Sequence, residues 1–201
     1  MSTILISCAI GYLFGCLSPS WAVGKLKQVN IRNAGSGNLG ATNVFLHVSK
    51  TFGLFIMVFD ILKCVLAIHI VKNLFAGIAY VPALAGAFAI IGHIYPFYLK
   101  FQGGKGSACL VGTILGLTPR IFVPFVLGCI LIGVIANYLC VAPILASSTY
   151  PIICGLATQS LYNFIILAIA GVIIIFNHKD NIIRLRNHTE PKVRNYFDKD
   201  E

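Results

Sequence analysis

Residues 52–71, FGLFIMVFDILKCVLAIHIV, decide the fold class. A transmembrane helix needs about 20 predominantly apolar residues, and this run supplies them with Asp60 and Lys63 as its only formal charges. Those two stand three apart, so they share a helix face and read as a buried ion pair, with a proton path as the alternative. Working outward, comparable runs occupy residues 4–23, 76–99, 121–139 and 161–176, and shorter ones occupy 108–117 and 141–156. The short pair either crosses by borrowing flanking residues or forms half-helices packed inside protein, where irregular backbone is tolerated at membrane depth. Hydrophobic residues make up 58% of the 201-residue chain, charged residues 10%, and mean hydropathy is +0.88. That composition excludes a soluble domain, which needs far more surface charge. The expectation is an all-α polytopic membrane helix bundle of about seven transmembrane helices, forming one membrane-embedded domain over residues 1–201.

Charge placement orients the bundle. With seven crossings and the N-terminus outside, the inner loops hold Lys25, Lys27, Arg32, Lys50, Lys100, Lys105, Lys179, Arg184, Arg186, Lys192, Arg194 and Lys199, twelve of the 15 basic residues. Lys72 and Arg120 remain outside and Lys63 lies within a span, which follows the positive-inside bias. Dropping one short segment moves the basic tail outside, whereas dropping both restores the pattern, so five spans fit and six do not. The C-terminus is therefore expected in the cytoplasm and the protein in the cell membrane. No basic residue precedes the first span and Lys25 and Lys27 follow it, the reverse of a cleaved signal peptide. The net charge of +9 fits an anionic inner leaflet as partner, with no nucleic acid required. Seven cysteines without a CxxC pair read as apolar packing residues, not as a disulfide frame or zinc site.

Every polar motif falls on that same inner face. Residues 35–43, GSGNLGATN, bring together small residues and the side chains of Ser36, Asn38, Thr42 and Asn43, with Gly37 and Gly40 allowing backbone N–H groups to converge as an anion nest. The alternative is a flexible turn between spans. No acid occurs before Asp60, so an approaching dianion meets no repelling carboxylate there. Residues 92–106, GHIYPFYLKFQGGKG, place Lys105 on a glycine platform ahead of an apolar helix, an anion site at a helix N-terminus or else a lysine snorkelling to the interface. The nucleotide-binding P-loop pattern is absent, because glycine follows Lys105. His93 reads as a satisfied polar residue. In the tail, helical spacing lets His178, Asn181 and Arg184 project together, putting a proton carrier beside amide and guanidinium donors. A basic amphipathic tail on anionic lipid is the alternative there.

Together these three segments resemble the membrane acyl-phosphate:glycerol-3-phosphate acyltransferases of the PlsY type. The first family motif, GSGNxGATNxxR, is matched by residues 35–43, the second, GHxxPxFxxFxGGKG, by 92–106, and the last, HxxNIxRLxxGxEPK, by 178–192. The resemblance implies a seven-helix bundle whose cytoplasmic site transfers a fatty acyl group from acyl phosphate to glycerol 3-phosphate, with no cofactor. It assigns Ser36, His178 and Asn181 to catalysis, and Gly37, Asn38, Gly40, Thr42, Asn43, Lys105 and Arg184 to substrate binding. The chain departs from the family at several positions. Leu46 replaces the arginine that ends the first motif, Asn137 stands in a Thr-Arg-Tyr-like segment, Cys140 and Pro143 replace serines, and His188 replaces a glycine.

The chemistry suits this inventory. Acyl phosphate is a mixed anhydride with a good leaving group, so positioning and charge stabilisation lower the barrier. The six acids show no ligand spacing, so no metal is expected. No histidine has an aspartate five residues later, which separates the chain from the HxxxxD acyltransferases. Two rivals remain: a permease for a phosphorylated metabolite, and a family member with altered acceptor or a regulatory role. A permease would distribute polar residues along the middle of several helices, and an inverted-repeat one would leave hydropathy symmetry that is not evident here.

Overall fold

The computed structural model describes residues 1–196, so Lys199 lies outside the described residues. Ten α-helices are present among them: α1 Ser2–Cys16, α2 Pro19–Leu26, α3 Ala41–His47, α4 Lys50–Leu74, α5 Val81–Ile94, α6 Ser107–Leu117, α7 Pro119–Ala136, α8 Val141–Thr158, α9 Leu161–Asn177 and α10 Lys179–Arg186. The described residues contain no strand. The chain forms two compact units, Met1–Leu117 and Thr118–Glu201.

In the first unit α1 lies against α5 along a seam of small residues. A Cβ at Gly11 or Gly15 would collide with the backbone of Ala85 or Ala89. Only glycine allows that approach, and in a membrane close backbone packing replaces the hydrophobic drive between helices. The run expected as one span at 4–23 is two helices. Leu17 is extended after α1, the Ser18 hydroxyl caps α2 by accepting from Trp21 N–H at 3.4 Å, and Pro19 opens the new helix. Proline suits a first turn because its missing N–H would have no partner there. Val23 of α2 forms one buried cluster with Ile31, Leu39, Val44, Ile56 and Leu99, so the first glycine loop and the approach to the second are both pinned to α4.

In the second unit α8 packs on α9, where a Cβ at Gly171 would meet the Ser147 carbonyl. The Thr118 and Tyr150 hydroxyls pair at 3.0 Å in its interior. Asn137 ends α7 in the left-handed region, φ 63°, a conformation asparagine accepts at a helix C-terminus. Its carbonyl accepts from Val193 N–H at 2.9 Å and its side-chain oxygen from Arg194 N–H at 3.1 Å, which ties down the tail. This departure from the family motif is therefore a structural anchor.

Among the described residues seven apolar segments are present, but their lengths differ from expectation. Five are long and apolar enough to cross a membrane: Ser2–Leu26, Lys50–Leu74, Val81–Leu99, Pro119–Ala136 and Val141–Thr158. A sixth arises if α9 and α10, bent by 55°, count as one span. The segment at 141–156, expected to be short, gains length through Thr158. By contrast α6 has 11 residues, which at about 1.5 Å each covers about half of a 30 Å hydrocarbon core. The faces of α7 bearing Leu127, Ile130, Leu131, Val134 and Ile135 are exposed, as a lipid-facing helix requires.

Candidate active site

The first loop is built around Asn43. Its buried side-chain amide donates to the carbonyls of Ala34 and Asn38, each at 3.0 Å, and its oxygen accepts from Ser36 N–H at 3.0 Å. Gly37 N–H donates to Ala34 O at 2.9 Å. Two N–H groups expected to face an anion are thus spent inside the loop, and Asn43 holds the loop instead of presenting donors. Ser36 and Thr42 are exposed on this frame, Asn38 and Gly37 are half-buried, and Gly40 caps α3. Gly35 and Gly37 adopt φ of 50° and 68°, and a Cβ at Gly35 would run into the His47 ring. The ring next to Leu46 therefore already packs on the loop.

Arg32 brackets the two glycine loops. Its guanidinium donates to the Gln102 side chain, to Gln102 O at 2.7 Å and to Leu99 O at 3.3 Å. In the sequence Arg32 reads only as an inner-face charge, since its partner lies 70 positions away. A cavity of about 770 Å³ opens beside this bracket, lined by Lys25, Arg32 and Lys100 among others.

Lys105 is half-buried, between Gly104 and Gly106, just ahead of the first turn of α6. The loop under it is fixed by Gly103 N–H donating to Ile94 O at 2.8 Å and Gly104 N–H donating to His93 O at 3.1 Å. Asp60, His93 and Cys109 place potential metal-ligand atoms within 4.8 Å of one another. Lys63 Nζ stands among them, 2.6 Å from Asp60 Oδ1 and 3.1 Å from His93 Nδ1. An ammonium there already balances the carboxylate and repels a second cation. The cluster escaped the sequence because its members sit on three helices.

In the second unit His178 is buried at the bend between α9 and α10. Its Nδ1 lies 2.8 Å from the Ile174 carbonyl. A carbonyl only accepts, so Nδ1 carries the proton in the neutral ring and Nε2 is the basic nitrogen. Asn181 and Arg184 do come together, on Glu190: the Asn181 amide donates to Oε1 at 2.6 Å and Arg184 Nε to Oε2 at 2.7 Å. Arg184, expected as a substrate contact, is held by this carboxylate. The sequence signal for Glu190 is that it is the one acid between Asp180 and Asp198 in a basic tail.

The family model for glycerol-3-phosphate acyltransferase matches residues 5–188. Glycerol-3-phosphate acyltransferase of Bacillus subtilis is 34% identical over 92% of this chain and 95% of its own length. The enzyme of that name from Streptococcus thermophilus is 37% identical over 93% and 92%. The crystal structure of PlsY (YgiH), an integral membrane glycerol 3-phosphate acyltransferase, in its glycerol 3-phosphate form, is similar with a TM-score of 0.87 and 30% identity, covering 94% of each chain. The two glycine loops and the His178 bend are thus found in an all-helical membrane protein that belongs to the glycerol-3-phosphate acyltransferase family.

Proposed function

We propose that the protein transfers a fatty acyl group from acyl phosphate to glycerol 3-phosphate, giving 1-acylglycerol 3-phosphate. The observation that carries this reading is the family match over residues 5–188, which takes in both glycine loops and the His178 to Arg184 segment. The acceptor hydroxyl oxygen attacks the acyl carbonyl carbon and forms the ester C–O bond. The C–O bond to phosphate breaks and phosphate leaves with the electron pair. The hydroxyl proton passes to His178 Nε2 or to the acceptor's own phosphate. Lys105 and the Ser36 and Thr42 hydroxyls offset charge on phosphate and carbonyl oxygens, and Asn181, held by Glu190, orients substrate. Asn43 acts through the shape of the first loop, with Gly37, Asn38 and Gly40.

The chain works as a single domain in the cell membrane, with the N-terminus outside, the C-terminus and active site in the cytoplasm, and anionic lipids against its basic inner face. Seven segments cross, α6 being completed by the buried glycines of its preceding loop, where protein can shelter irregular backbone. Purified protein supplied with acyl phosphate and labelled glycerol 3-phosphate should form labelled lysophosphatidic acid. No product from well-folded protein refutes the assignment.

A further inference from the structure

We propose that Asp60, Lys63 and His93 form a positioning unit that sets where Lys105 holds a substrate phosphate, an inference that rests on the reading of Lys105 given above. All three side chains are buried, at 1%, 2% and 7% exposure. Ionisable groups at such depth in a membrane protein persist when they are paired and serve a function. Lys63 has three N–H donors and three close partners: Asp60 Oδ1 at 2.6 Å, the Leu17 carbonyl at 2.6 Å and His93 Nδ1 at 3.1 Å. One ammonium thereby joins α4, α5 and the break that follows α1.

The consequence reaches the second glycine loop through His93. Its Nδ1 lies 3.1 Å from Lys63 Nζ and 3.4 Å from Asp60 Oδ1, so the pair holds that edge of the ring and turns the opposite edge away. The Nε2 edge faces Gly104, where an added Cβ would collide first with that nitrogen. The His93 carbonyl also accepts from Gly104 N–H at 3.1 Å, and a Cβ at Gly103 would strike the same carbonyl. Ring and backbone of one residue thus form the floor under the two residues preceding Lys105. An apolar side chain could fill the space, but a histidine χ2 has two broad orientations. The ion pair selects one, so the ring edge under Gly104 is defined. A misplacement of about 1 Å at such a platform can cost up to about a hundredfold in rate.

The test uses His93→Asn, which keeps a polar atom near the Nδ1 position but removes the ring edge, and Gly104→Ala, which disturbs the same contact from the loop side. Acceptor KM and kcat are measured with saturating acyl phosphate, in wild-type and Lys105→Ala backgrounds, on protein matched for monodispersity and thermal midpoint. Each substitution should raise the KM for glycerol 3-phosphate about tenfold with a smaller change in kcat. In the Lys105→Ala background the same substitutions should add less than about twofold. Should His93→Asn fail to fold, Gly104→Ala carries the test alone with the same expectation. An unchanged KM, or an effect that multiplies undiminished without Lys105, overturns the proposal. An unchanged KM in Lys105→Ala by itself removes the underlying phosphate reading instead.

Discussion

Replacing one member of the Asp60–Lys63 pair should harm the protein more than replacing both. Asp60 Oδ1 and Lys63 Nζ are 2.6 Å apart with side-chain exposures of 1% and 2%, so neither has water to fall back on. Asp60→Asn leaves a buried ammonium without its counter-charge, and Lys63→Met leaves a buried carboxylate. Breaking one partner of such a pair costs about 3–5 kcal/mol. The double variant Asp60→Leu, Lys63→Met removes both charges and forfeits the bonds from Lys63 to the Leu17 carbonyl and to His93 Nδ1, worth about 1 kcal/mol each. The double variant should therefore be more stable than either single variant by about 2 kcal/mol. For a chain of this size that corresponds to roughly 4–8 °C in midpoint. A thiol-reactive dye in detergent solution reads the transition, because Cys16, Cys64 and Cys109 are buried in the fold and become reactive on unfolding. A double variant as unstable as the worse single one would refute the reasoning, since it would mean that shape, not charge compensation, governs the site.

Glu190→Ala releases both Asn181 and Arg184, and should lower kcat about tenfold while lowering stability only by about 1–2 kcal/mol, because Arg184 is 37% exposed and its ion pair is screened; an unaltered kcat would show that the clamp does not position Asn181. Leu46→Arg should lower the acceptor KM by up to about tenfold by supplying a bidentate phosphate partner, and the pair Leu46→Arg, His47→Ala should show whether the His47 ring packed on Gly35 already fills that role. A raised KM in Leu46→Arg would point to an altered acceptor pocket. Single cysteines at positions 2 and 195, in a background without the seven native ones, should label differently with an impermeant maleimide in intact cells, the first reacting and the second protected; equal labelling contradicts the proposed orientation.

Composition and period determined the class of this protein without reference to any contact. Runs of about 20 apolar residues have few alternatives to a membrane helix, because lipid requires every backbone polar group to be satisfied within the segment. The glycine loops, the basic tail and their order were equally legible, since residues 35–43, 92–106 and 178–192 are contiguous in the chain. Element ends were less so: the break at Leu17–Ser18 and the late start of α5 at Val81 depend on capping and packing as much as on hydropathy. What only tertiary structure decided was which polar groups are spent holding the site and which are left to act. Asn43 turned inward to the loop backbone, Arg32 bridged to Gln102, Arg184 paired with Glu190, and Lys63 met both Asp60 and His93. Asp60 and Lys63, three apart on one helix, were foreseeable as a pair; His93, 30 positions from Lys63, was not. A hydrogen bond needs its partners within about 3 Å in space, and separation along the chain carries no information about that distance once helices fold back on one another.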